Sequence, residues 1–295
     1  NKIMNAFVFP GQGAQFPGMG YEAFKSSKKI KQLFKEADDI LGFSLSKIMF
    51  HGSEEELKQT KVTQPAIFLH SIAELYLNEN KVNPSLVAGH SLGEFSALVA
   101  NKTMTFSDGL KLVSIRAQAM QKACENNKGG MAAILGLDDK IIEETCESFQ
   151  GYVVAANFNC PGQVVISGNF NDVKSICEKF NELGARRSLL LPVSGAFHSE
   201  LMKDAQEELR EAINNINFQN PTCPIYQNVD GKAESEIIKI KINLINQLTS
   251  PVKWTQSVKN MLNDGANIFT EFGPGKVLCG LIKKVDREVK VHSAF

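Results

Sequence analysis

The stretch "GHSLG" at residues 89–93 fits the pattern G-x-S-x-G. Its glycines allow a chain to turn sharply from a strand into a helix and leave a serine at the apex. The context agrees, because "LVAGH" reads as a strand and "SLGEFSALVA" as the beginning of a helix. Ser91 is therefore the candidate nucleophile, and the free backbone N–H groups of the helix starting at Leu92 lie where an oxyanion could form. A serine hydroxyl needs a base. Of the five histidines, His70 falls inside a helical pattern, His51 in a polar loop and His292 in the last strand, and the turn should point His90 away from Ser91. His198, in "PVSGAFHSELM", follows a strand and a turn of small residues, which makes it the candidate base.

The acid of a triad would fall between serine and histidine. Asp108, Asp138, Asp139 and Asp172 lie there, and all read as helix-start residues. A backbone carbonyl could hold the imidazole equally well, giving a dyad. Arg116 raises a different question. The helix over about 107–124 has an apolar stripe through Leu112, Val113, Ala119, Met120 and Ala123, and Arg116 falls on it. A guanidinium on an apolar face is costly unless an anion meets it. That anion is either a buried partner such as Glu94 or a substrate carboxylate held by two parallel hydrogen bonds. Spacing alone does not choose between them.

The chain opens with "NAFVFP" followed by "GQGAQFPGMG". Gly13 and Gly18 have the glycine spacing of a P-loop, yet Met19 and Gly20 stand where the lysine and hydroxyl belong, so this is no nucleotide cradle. At 295 residues, with 43% hydrophobic and 22% charged residues, the composition is that of an ordinary globular protein. A net charge of zero gives no reason to expect nucleic acid or a membrane surface as partner. The six cysteines are scattered, with no C-x-x-C pair, which argues against structural zinc and a disulfide framework.

These residues have to be positioned by elements that the periodicity places. Helical spacing runs over 28–41, "SEEEL" fits a capping box from Ser53 to Glu56, and "TQPAIFLHSIAELYL" reads as a helix with Pro65 in its first turn. From residue 131 the order becomes strand, helix, strand, strand, helix, strand, the ferredoxin-like arrangement. A helix over about 199–214, a short strand in "PIYQNV", a helix near 251–264, the strand "IFTEF" and a last helix follow. The flanking segments read as one α/β domain.

Taken together, "FVFPGQGAQFPGMG", "TQPA", "GHSLGEFSALVA", "SIRAQAMQ", "NFNCPGQVVISG", "PVSGAFHSELM", "QLTSPVKW" and "EFGPGKVLCGL" resemble the malonyl-CoA:acyl carrier protein transacylase family over nearly the whole chain. The resemblance implies an α/β-hydrolase-like core over 1–128 and 193–295 with an inserted ferredoxin-like subdomain over 129–192. It implies Ser91 as nucleophile, His198 as base and the carbonyl of Gln247 as the group that orients it. The N–H groups of Gln12 and Leu92 become the oxyanion hole, with Gly11 and Gly13 allowing the close approach. Arg116 matches the arginine that binds the malonyl carboxylate, and Phe197 matches the malonyl rather than methylmalonyl form. The expected partners are malonyl-CoA as substrate and holo acyl carrier protein, with no cofactor, metal, nucleic acid or membrane. A monomer is expected, in the cytoplasm, or in a plastid had an N-terminal segment been removed. A trans-acting polyketide malonyltransferase and a serine hydrolase are the alternatives.

Overall fold

The computed structural model describes residues 2–294. In chain order its strands are β1 (Asn5–Phe9), β2 (Leu86–Gly89), β3 (Gly129–Leu135), β4 (Val153–Cys160), β5 (Gln163–Asn169), β6 (Arg187–Leu190), β7 (Ile225–Tyr226), β8 (Ala233–Glu234), β9 (Ile268–Glu271) and β10 (Lys290–Ser293). They form a mixed α/β structure with two sheets, one ordered β10-β9-β1-β2-β7-β8 and one ordered β4-β5-β3-β6.

The larger sheet is parallel except for the β7–β8 hairpin. A parallel sheet is covered on both faces, which is why "AFVF" and "LVAG" are apolar at successive positions. Phe7, Phe9 and Val87 join the core on one face, while Ala6, Val8, Leu86 and Ala88 join Trp254, Val258 and Met261 on the other. The register fixes what shares an edge. Phe9 lies beside Gly89 and Ala88 beside Tyr226, so the segments leaving β1, β2 and β7 emerge together at the carboxyl ends of the strands.

The smaller sheet is antiparallel. Its two faces differ as a period of two requires. Ala132, Ile134, Val164 and Ile166 pack against the helices Asp139–Ser148 and Phe170–Glu182, whereas Met131, Ala133 and Val165 join the core of the larger unit. At its entrance Gly129 lies so close to the segment after β6 that a Cβ would meet Ala196 N at 2.6 Å.

Several helices depart from the sequence expectation. His51, expected in a polar loop, ends the helix Leu45–His51, and the short helix Tyr21–Ser26 was not foreseen. Pro65 was expected in a first turn, but its helix runs Thr60–Leu77 and places it inside. Thr60 extends the helix a turn earlier, where Val62 N and Thr63 N bond Gln59 O, at the cost of the one i→i−4 bond that proline cannot make. The helix Ile237–Asn246 was not foreseen at all. In "IIKIKINLIN" alternating Ile and Lys imitate a strand, while the residues actually buried are Ile240, Leu244 and Ile245.

Candidate active site

Strand β2 ends at Gly89, and the chain turns so tightly into the helix Gly93–Ala100 that a Cβ on Gly89 would sit 1.9 Å from Gly93 C. Ser91 at the apex has φ 53°, a left-handed conformation costly for a residue with a Cβ. His198 shares that strain at φ 57°. The two meet: Ser91 Oγ donates to His198 Nε2 at 2.8 Å, and His198 Nδ1 donates to the Gln247 carbonyl at 2.9 Å. Among the described residues no carboxylate bonds to His198. Asp108, Asp139 and Asp172 stand in helical first turns and Asp138 at a cap, as their sequence context suggested. His90 points elsewhere, pairing Nε2 with Asn159 Oδ1 at 2.7 Å.

His198 is buried, and desolvation with the nearby Arg116 charge lowers its pKa to about 3. It is therefore a neutral imidazole at ordinary pH. With Nδ1–H fixed on a carbonyl, Nε2 is the free base facing the serine.

Arg116 is 1% exposed, on the helix Phe106–Asn126. Nη1 donates to Gln64 Oε1 at 2.8 Å, and Nη2 donates to Ser91 Oγ at 3.0 Å and to Gln247 Oε1 at 2.9 Å. Its Cζ lies over the Phe95 ring, 5.7 Å from the ring centre. Among the described residues Arg116 makes no ion pair, so the proposed partnership with Glu94 is only a longer-range attraction. Burial lowers its pKa to about 10, which leaves it cationic at neutral pH.

Behind the turn lies a group of side chains whose part the sequence did not reveal. Asn228 Oδ1 accepts from Ser91 N at 2.8 Å and Asn228 Nδ2 donates to Gly89 O at 2.8 Å, bridging both limbs of the turn. Gln247 Nε2 donates to Ser91 O at 2.8 Å and to Glu94 Oε1, and Asn228 N donates to Glu94 Oε2 at 3.2 Å. Burial raises Glu94 to about 8, against the pull of those hydrogen bonds and of Arg116. Asn228 owes its place to the pairing of β7 with β2: side chains just past the carboxyl ends of neighbouring parallel strands share one crevice.

The opening loop reaches the same place. A Cβ on Gly11 would stand 2.4 Å from His90 O and 3.6 Å from Leu92 N, so glycine there lets the loop lie against the turn. A cavity of about 410 Å³ opens over these groups. Gln12, Ser91, Leu92, Arg116, Val193, Phe197 and His198 line it from the larger unit, and Met131, Asn157 and Leu191 from the smaller. Gln247 does not line it. Among the described residues no cluster of His, Cys, Asp or Glu is placed to hold a metal ion, and no helix is long and apolar enough to cross a membrane.

Known proteins share this arrangement of sequence and fold. The family model of the acyl transferase domain matches residues 6–293. The malonyl CoA-acyl carrier protein transacylase of Bacillus subtilis (strain 168) is 44% identical over 289 residues, covering 97% of this chain and 91% of that protein. The crystal structure of the acyl-carrier-protein-S-malonyltransferase from Bartonella henselae superposes with a TM-score of 0.96 at 38% identity, covering 99% of this chain and 95% of the other. A type II PKS acyl-carrier protein complex with its malonyl-transacylase also matches, with a TM-score of 0.93 at 38% identity over 98% of this chain and 94% of that one.

Proposed function

The chain belongs to the acyl transferase domain family, and from that premise we infer that it transfers the malonyl group from malonyl-CoA to the phosphopantetheine thiol of acyl carrier protein, supplying fatty-acid synthesis. The observation that carries the chemistry is the chain of hydrogen bonds from Ser91 Oγ to His198 Nε2 and from His198 Nδ1 to the Gln247 carbonyl, with Arg116 beside the serine.

In the reaction we propose, Ser91 Oγ attacks the thioester carbonyl as His198 Nε2 takes its proton. The tetrahedral oxyanion accepts hydrogen bonds from the N–H groups of Gln12 and Leu92. Neither amide has a backbone partner among the described residues, which supports that role. The C–S bond then breaks, His198 returns the proton to the departing coenzyme A sulfur, and a malonyl-serine ester remains. The carrier thiol attacks that ester by the same route in reverse, a ping-pong sequence. Arg116 holds the malonyl carboxylate, and Phe197 bounds the space around the acyl group. A carboxylate on Arg116 also removes one of the causes that depress His198, so the imidazolium of the transition state is easier to form.

The reading requires no metal or cofactor. We propose a cytoplasmic monomer that meets its carrier protein at the mouth of the cavity. We also read the larger sheet with its helices as an α/β-hydrolase-like core over 1–128 and 193–295, and 129–192 as a ferredoxin-like subdomain. The strand order β4-β5-β3-β6 and the separate core beneath it support that division. Intact-protein mass spectrometry after brief exposure to malonyl-CoA tests the reaction. A malonyl adduct mapped to Ser91 and discharged by holo acyl carrier protein is expected, and steady release of free malonate without an adduct would indicate a hydrolase.

A further inference from the structure

Both hydrogens on Nη2 of Arg116 are already in use. One goes to Ser91 Oγ and the other to Gln247 Oε1, while Nε–H has no partner among the described residues. A guanidinium can hold a carboxylate with two parallel bonds along either of two edges, Nε with Nη2 or Nη1 with Nη2. Both edges include Nη2. A carboxylate that docks on either must therefore displace Ser91 or Gln247.

Gln247 is the partner held in place. It is 1% exposed, it lies outside the cavity lining, and its Nε2 is tied to Ser91 O and Glu94. Ser91 Oγ faces the cavity and keeps His198 as a partner when Arg116 lets go. The bond from Arg116 meanwhile occupies one of two oxygen lone pairs and draws electron density from the atom that must attack.

We propose that Arg116 caps the nucleophile of the resting protein, and that the carboxylate of the incoming acyl group removes the cap. This rests on Arg116 as the carboxylate-binding group. An acyl thioester without a carboxylate leaves the cap in place. Selection for carboxylated substrates then acts on the reactivity of Ser91 and not only on binding.

The test uses phenylmethanesulfonyl fluoride, a neutral reagent with no carboxylate of its own. Ser91 Oγ bonds to its sulfur, fluoride leaves, and His198 Nε2 takes the proton. The labelling rate of the wild-type protein is followed by mass spectrometry in formate, with formamide and chloride at matched concentration as controls. Formate is used at the concentration that halves malonyl loading from malonyl-CoA. Labelling of Ser91 is expected to rise roughly five-fold in formate alone, the effect of releasing one hydrogen bond of ordinary net strength. Competition by formate with labelling unchanged or slowed overturns the cap and leaves the carboxylate role of Arg116 intact. Formate that does not compete with malonyl-CoA removes that role and the cap with it. In Arg116→Ala the acceleration by formate should vanish, and its persistence would place the anion elsewhere and overturn the proposal.

Discussion

On its cavity side Ser91 is met through its side chain, by His198 Nε2 and Arg116 Nη2. On its core side it is held through its backbone, the N–H by Asn228 and the carbonyl by Gln247. The first pair can exchange partners during a reaction, because a hydroxyl rotates and both partners line an open cavity. The second pair is buried, and each of its members is tied again by further bonds. Strain at the apex is thus tolerated by fixed groups behind it, while the groups before it are free to adjust. Gln247 joins the sides: its carbonyl accepts from His198 Nδ1 and its amide grips both the turn and Arg116.

Substitutions on the two sides should separate chemistry from stability. Arg116→Ala on the cavity side is expected to lower malonyl loading at least about 10²-fold, as loss of a buried charged partner does, while acetyl loading is retained or gained. Equal loss of both would assign the arginine to the scaffold. Asn228→Ala on the core side orphans the N–H of Ser91 and the carbonyl of Gly89, and should reduce unfolding free energy by about 2–5 kcal/mol in denaturant titration. An unchanged midpoint would show that the turn holds itself.

The pH dependences should differ in the same way. Because the pKa of free His198 is lowered to about 3, kcat/KM for malonyl loading should stay level as pH falls through 6.5. A limb at 6.5 would mean a solvated base. Glu94 has the opposite sign. Its pKa is raised from 4.5 to about 8, so the folded state holds a proton that the unfolded chain releases, and Glu94 contributes stability that declines as pH rises from about 4.5 to about 8. Glu94→Gln keeps the shape and removes that slope, with the smallest effect on loading of these changes. A slope identical to wild type would place the titration on another group.

The same division governs what could be read from the chain alone. Ser91 and His198 were legible because local chemistry marks them, one by flanking glycines between a strand and a helix, the other by a small-residue turn after a strand. Arg116 stood out because a charge interrupts an apolar stripe, although only the resemblance to a family chose its partner. The role of the Gln247 carbonyl came from that resemblance too, since a backbone atom leaves no trace in residue type. Asn228 was illegible for a different reason. It is a polar residue after a two-residue strand, and its meaning depends on β7 lying beside β2, a pairing between positions far apart in the chain. The small sheet declared itself through its element order, whereas the helix Ile237–Asn246 was hidden by its alternating residues.

The contact between the opening loop and the turn has a bearing on inheritance. A Cβ on Gly11 would collide with His90 O, and a Cβ on Gly93 would come within 2.1 Å of Phe9 O. Each segment occupies room that the other has vacated, although about eighty residues of chain separate them. A crossover between them should therefore give a folded chimera only when the parent that supplies the loop carries glycine at position 11 and the parent that supplies the turn carries glycine at position 93.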